Sequence, residues 1–278
     1  MFDKHARDKG ILGRLRLMIA LRKEHYDLVI ILNNSLMYKF LNIPRSWSLR
    51  KYLRCLPSKT GMHAADNYLE FLRSYGIDAG KAEFDFVSSE EDEEFRDMFL
   101  AKKGINAKDK VVGILPLAAW SLKSWSIDKW NELAEVLKKE YGIKVIAFGD
   151  SDNALFKQIV IQNISSEIIL TGKTTLGQAI AMIKRCNLFI APDSGLLHLA
   201  SIMGINAVGL YGPSPKDFIY PYFHRDKIIS PNEKLECMPC YPGLKACKCK
   251  EKELLFSDCM KRINVDDVLG EVRRTLDL

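Results

Sequence analysis

No segment of this 278-residue sequence is apolar for long enough to cross a bilayer. Runs such as residues 17–21 fall far short of the roughly 20 residues a membrane-spanning helix requires, so no such helix is expected. The opening MFDKHARDKG mixes charges of both signs and lacks the basic, apolar, small-residue order of a secretory signal, which predicts a cytoplasmic protein. Nucleic acid is an unlikely partner, because the basic excess has no interleaved aromatic residues on which bases could stack. What the chain does have is 47% hydrophobic content, enough to build cores in one large or two ordinary domains.

The net charge of +6 is unevenly spread: residues 1–60 carry thirteen Lys/Arg against four Asp/Glu, and the remainder is slightly acidic. A basic block suits a phosphate-rich substrate, an anionic membrane surface or a solvated face. Within it, Ile11, Leu12, Leu15, Met18 and Ile19 recur at helical spacing with Arg14, Arg16, Arg22 and Lys23 between them. This pattern predicts an amphipathic basic helix, packed on a sheet or lying on a membrane surface. Residues 26–32 read as a buried strand, 47–59 as basic and irregular, and 64–75 as a helix stopped by Gly76. Residues 88–102 form an acidic helix whose Ser-Ser-Glu-Glu-Asp start suits the positive helix end, and 77–110 reads as a connection between domains.

From residue 110 the pattern becomes regular. Strands are expected at 111–115, 144–148, 167–170, 188–191 and 207–210, alternating with helices at 127–141, 153–163, 176–186 and 195–203. Such alternation specifies an α/β domain with a parallel sheet covered on both faces. Ligands of these sheets bind beyond the carboxyl ends of the strands, so the residues just after each strand are the candidates. After the fourth strand, Ser194 and Gly195 fall at a helix start, where free N–H groups favour an anion such as a diphosphate. Asp193 reads equally as a helix cap, and His198 as a residue packed on the sheet. Lys123 reaches the same edge, where an ammonium offsets phosphate charge or is simply solvated. Residues 211–215, Tyr-Gly-Pro-Ser-Pro, read as a loop lining the crevice. Gly149-Asp150-Ser151-Asp152 resembles a D-x-D metal signature, but an acid just past the second strand better suits a ribose hydroxyl, which makes Asp150 or Asp152 the candidate, with Asp152 reading equally as a helix cap.

Five of the seven cysteines are Cys237, Cys240, Cys247, Cys249 and Cys259. In a reducing compartment this density suits a metal better than disulfides, and a tetrahedral structural zinc would take Cys237, Cys240, Cys247 and Cys259. Loosely packed or redox-active thiols are the other reading.

The run from Asp193-Ser-Gly-Leu-Leu-His-Leu-Ala to Tyr211-Gly-Pro-Ser-Pro closely resembles the D-[ST]-G-x-x-H-x-A segment and following strand of lipopolysaccharide heptosyltransferases, glycosyltransferase family 9. Lys123-Ser-Trp125, similar to the family's K-x-W, and the Cys-x-x-Cys near the C-terminus support the resemblance. It implies a GT-B-like α/β architecture of two Rossmann-like domains. These would be a shortened acceptor-side domain at 1–87, a linker helix at 88–110, a nucleotide-sugar domain at 111–230, and a Cys-rich segment with a C-terminal helix at 231–278. It also implies an inverting enzyme that moves heptose from ADP-heptose to an anionic lipid-linked saccharide acceptor, peripheral to the inner face of the inner membrane, with no cofactor needed for catalysis. By resemblance, Lys123, Ser194 and Gly195 hold the diphosphate and Asp193 the sugar, while His198 supports the loop. Family members open with a strand and a Gly-Asp loop bearing the proposed catalytic carboxylate. Here the only Gly-Asp pair is Gly149-Asp150, so the catalytic residue is unassigned. The alternatives are a degenerate copy that binds an ADP-sugar without catalysis, substitution by Asp27 or His63, or a loop supplied by a partner.

Overall fold

Residues 28–31, Leu-Val-Ile-Ile, are apolar and rich in β-branched side chains, and they form a strand, β1 (Leu28–Ile31). In the computed structural model of the protein it pairs in parallel with β2 (Arg45–Ser48), Leu28 opposite Arg45 and Ile31 opposite Ser48. The structure describes residues 10–32, 37–55, 61–149, 158, 162–164, 166, 168–233, 235–240 and 256–278. Two compact units divide the chain, residues 1–82 and 83–278. Among the described residues no helix is long and apolar enough to cross a membrane.

In the first unit, β1 follows helix α1 (Gly10–Lys23), and α2 (Leu49–Cys55) and α3 (Ala64–Arg73) follow β2. The segment expected to be irregular at 47–59 thus contains the end of a strand and a helix. Its core is small and aromatic: Phe71 is fully buried beside Tyr52 and Tyr75, and Trp47 stacks on Tyr75 at 4.2 Å. Helix α1 forms as expected, but its expected packing face does not. Ile11 and Leu12 are 79% and 80% exposed, with Leu15 and Ile19 also exposed, whereas Leu17, Met18 and Leu21 are the half-buried positions. Apolar residues therefore occupy two adjoining sides of α1, and among the described residues only the side of Leu17, Met18 and Leu21 is partly covered.

Among the described residues, the second unit holds a six-stranded parallel sheet made of β3 (Val111–Ile114), β4 (Lys144–Ala147), β5 (Ile168–Ile169), β6 (Leu188–Pro192), β7 (Asn206–Leu210) and β8 (Ile228–Ile229). Strand alternation sends Val112, Ile114, Val145, Leu188, Ile190 and Val208 to one face and Val111, Ile146, Phe148, Phe189, Ala191 and Ala207 to the other. The first face is covered by α5 (Ile127–Tyr141), through Trp130, Leu133 and Leu137, and by α9 (Val265–Leu276), through Val268 and Val272. The second face is covered by α4 (Glu90–Lys102), α6 (Leu176–Lys184) and α7 (Gly195–Ile202), through Leu100, Met182, Ile183 and Leu197. A single-turn helix, α8 (Asp258–Lys261), precedes α9. Caps set the boundaries: Ser126 opens α5, Gly142 closes it in the left-handed conformation (φ 64°), and Thr175 and Gln178 form a capping box on α6.

The acidic helix expected as a linker is an integral part of this unit. Ser89 caps α4, Leu100 enters the core, and Lys184 on α6 donates to Ser88 at 2.9 Å and pairs with Glu93 at 3.6 Å. The C-terminal segment likewise belongs to this unit, since α9 buries five of its residues. The helix expected at 153–163 lies largely outside the described residues.

The strand order, β5-β4-β3-β6-β7-β8, decides where a ligand fits. From β3 the chain proceeds outward to β4 and β5, then returns to the other side of β3 for β6. Connections from β3 and β6 therefore leave in opposite directions and open a crevice beyond their carboxyl ends.

Candidate active site

The residues beyond β3, β6 and β7 converge at that edge. Strand β6 ends at Pro192 and Asp193 follows at once, before Ser194 caps α7 by accepting a hydrogen bond from the Leu197 N–H at 3.4 Å. Beyond β3, a short 3-10 turn (Ser121–Lys123) delivers Lys123, which is only 9% exposed despite its charge. Beyond β7, the turn at 211–215 delivers Ser214, which is also buried. These groups meet on one carboxylate. The Lys123 Nζ and the Ser214 Oγ each donate to Asp193 Oδ2 at 2.6 Å, and the His198 Nε2 lies 3.0 Å from Oδ1.

Burial by itself would raise the Asp193 pKa, but hydrogen bonds from His198, Lys123 and Ser214, with the charge of Lys123, hold it down at about 2. Asp193 is therefore ionised near neutral pH, and a carboxylate held this acidic is a poor general base there. Beside it, the Tyr211 phenol is buried and has no hydrogen-bond partner among the described residues. Burial, reinforced by the charge of Asp193, pushes its pKa well above the usual value and keeps it protonated.

A Cβ added at Gly195 would meet no neighbouring atom within 4 Å among the described residues, so packing does not require the glycine there. The first N–H groups of a helix and its dipole attract negative charge. A helix N-terminus beside a lysine is an arrangement that suits a phosphate or diphosphate.

The C-terminal segment buttresses this edge from behind. The Ser257 Oγ donates to Leu122 O at 2.7 Å, the Trp125 Nε1 to Ile263 O at 3.1 Å, and the Cys240 N–H to Pro213 O at 3.1 Å. Cys259 Sγ packs so closely on Gly212 that a Cβ there would lie 2.7 Å from it. Cys240 and Cys259 are thus buried struts, and Cys237 is partly exposed. Among the described residues no group of three His, Cys, Asp or Glu side chains could hold a metal ion, and Cys247 and Cys249, two of the five clustered cysteines, lie outside them.

Of the expected site residues, Lys123, Asp193, Ser194, Gly195 and His198 come together, Lys123 as a buried ion pair and His198 as a carboxylate partner, not as a residue merely packed on the sheet. Asp150 and Asp152 lie outside the described residues. His63 in the first unit is the N-cap of α3, its Nδ1 accepting from the Ala65 N–H at 3.1 Å. Asp27 lines a surface cavity of the same unit with Arg22, His25 and Lys39. Ser214 was not singled out from the sequence, although its place in the turn after a neighbouring parallel strand was the available signal.

A family model for glycosyltransferase family 9 (heptosyltransferase) matches residues 14–251. The chain is 27% identical over 221 residues to the lipopolysaccharide core heptosyltransferase OpsX of Haemophilus influenzae, covering 76% of this chain and 60% of that protein. It is 26% identical over 238 residues to lipopolysaccharide heptosyltransferase 2 of Salmonella typhimurium, covering 78% and 68%. The chain thus spans 60% to 68% of the length of these two relatives. Among solved structures, a family 9 glycosyltransferase from Veillonella parvula superposes with a TM-score of 0.72 at 26% identity, over 96% of this chain and 80% of that one. E. coli ADP-heptose lps heptosyltransferase II shares the fold with a TM-score of 0.67 at 22% identity, over 95% and 80%.

Proposed function

The chain belongs to glycosyltransferase family 9, and from that premise we propose that it transfers heptose from ADP-heptose to a lipopolysaccharide-core acceptor, with inversion at the anomeric carbon. The observation that carries this reading is the junction of Lys123, Asp193, His198 and Ser214 beside the N-terminus of α7, at the crevice between β3 and β6. An acceptor hydroxyl attacks the anomeric carbon and gives up its proton to a base outside this junction, by way of water, while the bond from that carbon to the diphosphate oxygen breaks and ADP departs with the electron pair. Charge grows on the diphosphate in this step. In this reading Lys123 and the N–H groups of α7 meet that charge, and the hold of Asp193 on Lys123 limits the reorganisation needed as the bond breaks. Asp193 holds Lys123 in place and is not the base that accepts the acceptor's proton.

Calorimetric titration with ADP and ADP-heptose, followed by an ADP-release assay with a lipid-linked core acceptor, tests the reading. Binding with acceptor-dependent release is the expected result. Absence of binding by both ligands would sink the donor-site assignment, and binding without release would leave an ADP-sugar-binding protein in place of a transferase.

The basic residues of α1, with Ile11, Leu12, Leu15 and Ile19 exposed between them, suit an anionic lipid surface. Retention on vesicles containing anionic lipid at low ionic strength, lost as salt is raised, is expected. Equal failure to bind neutral and anionic vesicles would remove membrane association from the proposal.

A further inference from the structure

We infer that Ser214 is a positioning residue of the donor site, holding the Asp193 carboxylate and, through it, the Lys123 ammonium at the mouth of the crevice. The inference rests on the donor-site reading above and deepens it. Three neighbouring strands each supply one member: Lys123 lies beyond β3, Asp193 beyond β6 and Ser214 beyond β7. An ammonium bonded to one carboxylate oxygen can pivot about that contact. Here the same oxygen, Oδ2, also accepts from Ser214 at 2.6 Å, while His198 engages Oδ1 at 3.0 Å. The carboxylate is therefore gripped at both oxygens and cannot rotate to follow the lysine. A serine hydroxyl has a single proton to donate, and in Ser214 that proton goes to Asp193.

Ser214 is itself held rigidly. The preceding residue, Pro213, accepts from the Cys240 N–H at 3.1 Å, and Gly212 is packed against Cys259 Sγ. The position of this one hydroxyl is thus determined by the C-terminal segment, far along the chain from the residues it orients. When a ligand diphosphate draws on Lys123, Ser214 and His198 keep the carboxylate hydrogen-bonded and ionised, so the buried anion is never left bare as the lysine shares its charge.

The test compares Ser214→Ala and Ser214→Thr with the wild-type chain. Two readouts are taken: ADP affinity by calorimetry, and titration of the Asp193 carboxyl carbon by NMR, assigned with Asp193→Asn. Loss of one donor raises the carboxyl pKa, so S214A is expected to bring the onset of Asp193 titration to higher pH and to weaken ADP binding about 10-fold or more. S214T keeps the hydroxyl and is expected to restore both to within about 3-fold of wild type. Thermal unfolding of each variant confirms that it is folded. Unchanged Asp193 titration and unchanged ADP affinity in folded S214A overturn the inference, as does a folded S214T that behaves like S214A. If the wild-type chain fails to bind ADP, the donor-site reading falls, yet the carboxyl titration, which needs no ligand, still decides whether Ser214 controls Asp193.

Discussion

Lys123→Ala is expected to lower acceptor-dependent ADP release by about 10²- to 10³-fold, the usual cost of removing one oriented group that stabilises charge developing in a transition state. The same change should also destabilise the fold. Asp193 and Lys123 are 7% and 9% exposed, and removing the lysine leaves the carboxylate buried with hydrogen bonds but without a countercharge. Breaking a buried pair from one side costs about 3–5 kcal/mol. A second variant separates the two effects. Lys123→Met combined with Asp193→Asn removes both charges at nearly constant volume, so stability should largely return while ADP release does not. Thermal unfolding and ADP release measured on the two variants check this. Full activity in Lys123→Ala would remove Lys123 from the site, and a double variant no more stable than the single one would mean that the ion pair is not what couples this site to the fold.

Trp125→Ala is expected to cost about 3–5 kcal/mol of stability. Trp125 is fully buried, lies edge-on to Trp130 with ring centroids 5.0 Å apart, and donates through Nε1 to Ile263 O at 3.1 Å. Alanine leaves a cavity in the core and removes one of two donors to Ile263 O, the other being Lys129 Nζ at 2.7 Å. For a unit of this size the unfolding midpoint should fall by about 6–20 °C. Trp125→Phe keeps a ring but not the donor, and should lose about 1–2 kcal/mol. Because Trp125 is two residues from Lys123, its removal should weaken ADP binding even at temperatures where the protein stays folded. Circular dichroism melts give the first effect and calorimetry the second. A midpoint unchanged in Trp125→Ala would show that the C-terminal segment does not anchor this edge.

The segments that are easiest to read in the sequence are those whose signal is local. Val111, Val112 and Ile114 form a buried strand because short apolar β-branched runs favour extended backbone, and Ser126 and Gly142 bound α5 because cap chemistry is set by immediate neighbours. Asp193, Ser194 and Gly195 were legible as site candidates for the same reason: a strand, a turn and a helix start lie within one short stretch. Helix α1 shows where local reading ends. Its helical periodicity is correct, but which of its two apolar sides is covered depends on residues distant in the chain.

By itself, then, the sequence determined the α/β alternation, the helix and strand types, and the residues at the carboxyl ends of the strands, because backbone propensity, side-chain period and capping act over a few residues. Only the tertiary structure decided that Lys123 would be buried against Asp193, 70 positions away, and that Ser214, 21 positions beyond it, would close on the same oxygen. Those meetings follow from the order of β3, β6 and β7 in the sheet and from the C-terminal segment packed behind their loops. Strand order is selected by which crossovers bury both faces of the sheet, a property of the whole unit that no local stretch encodes.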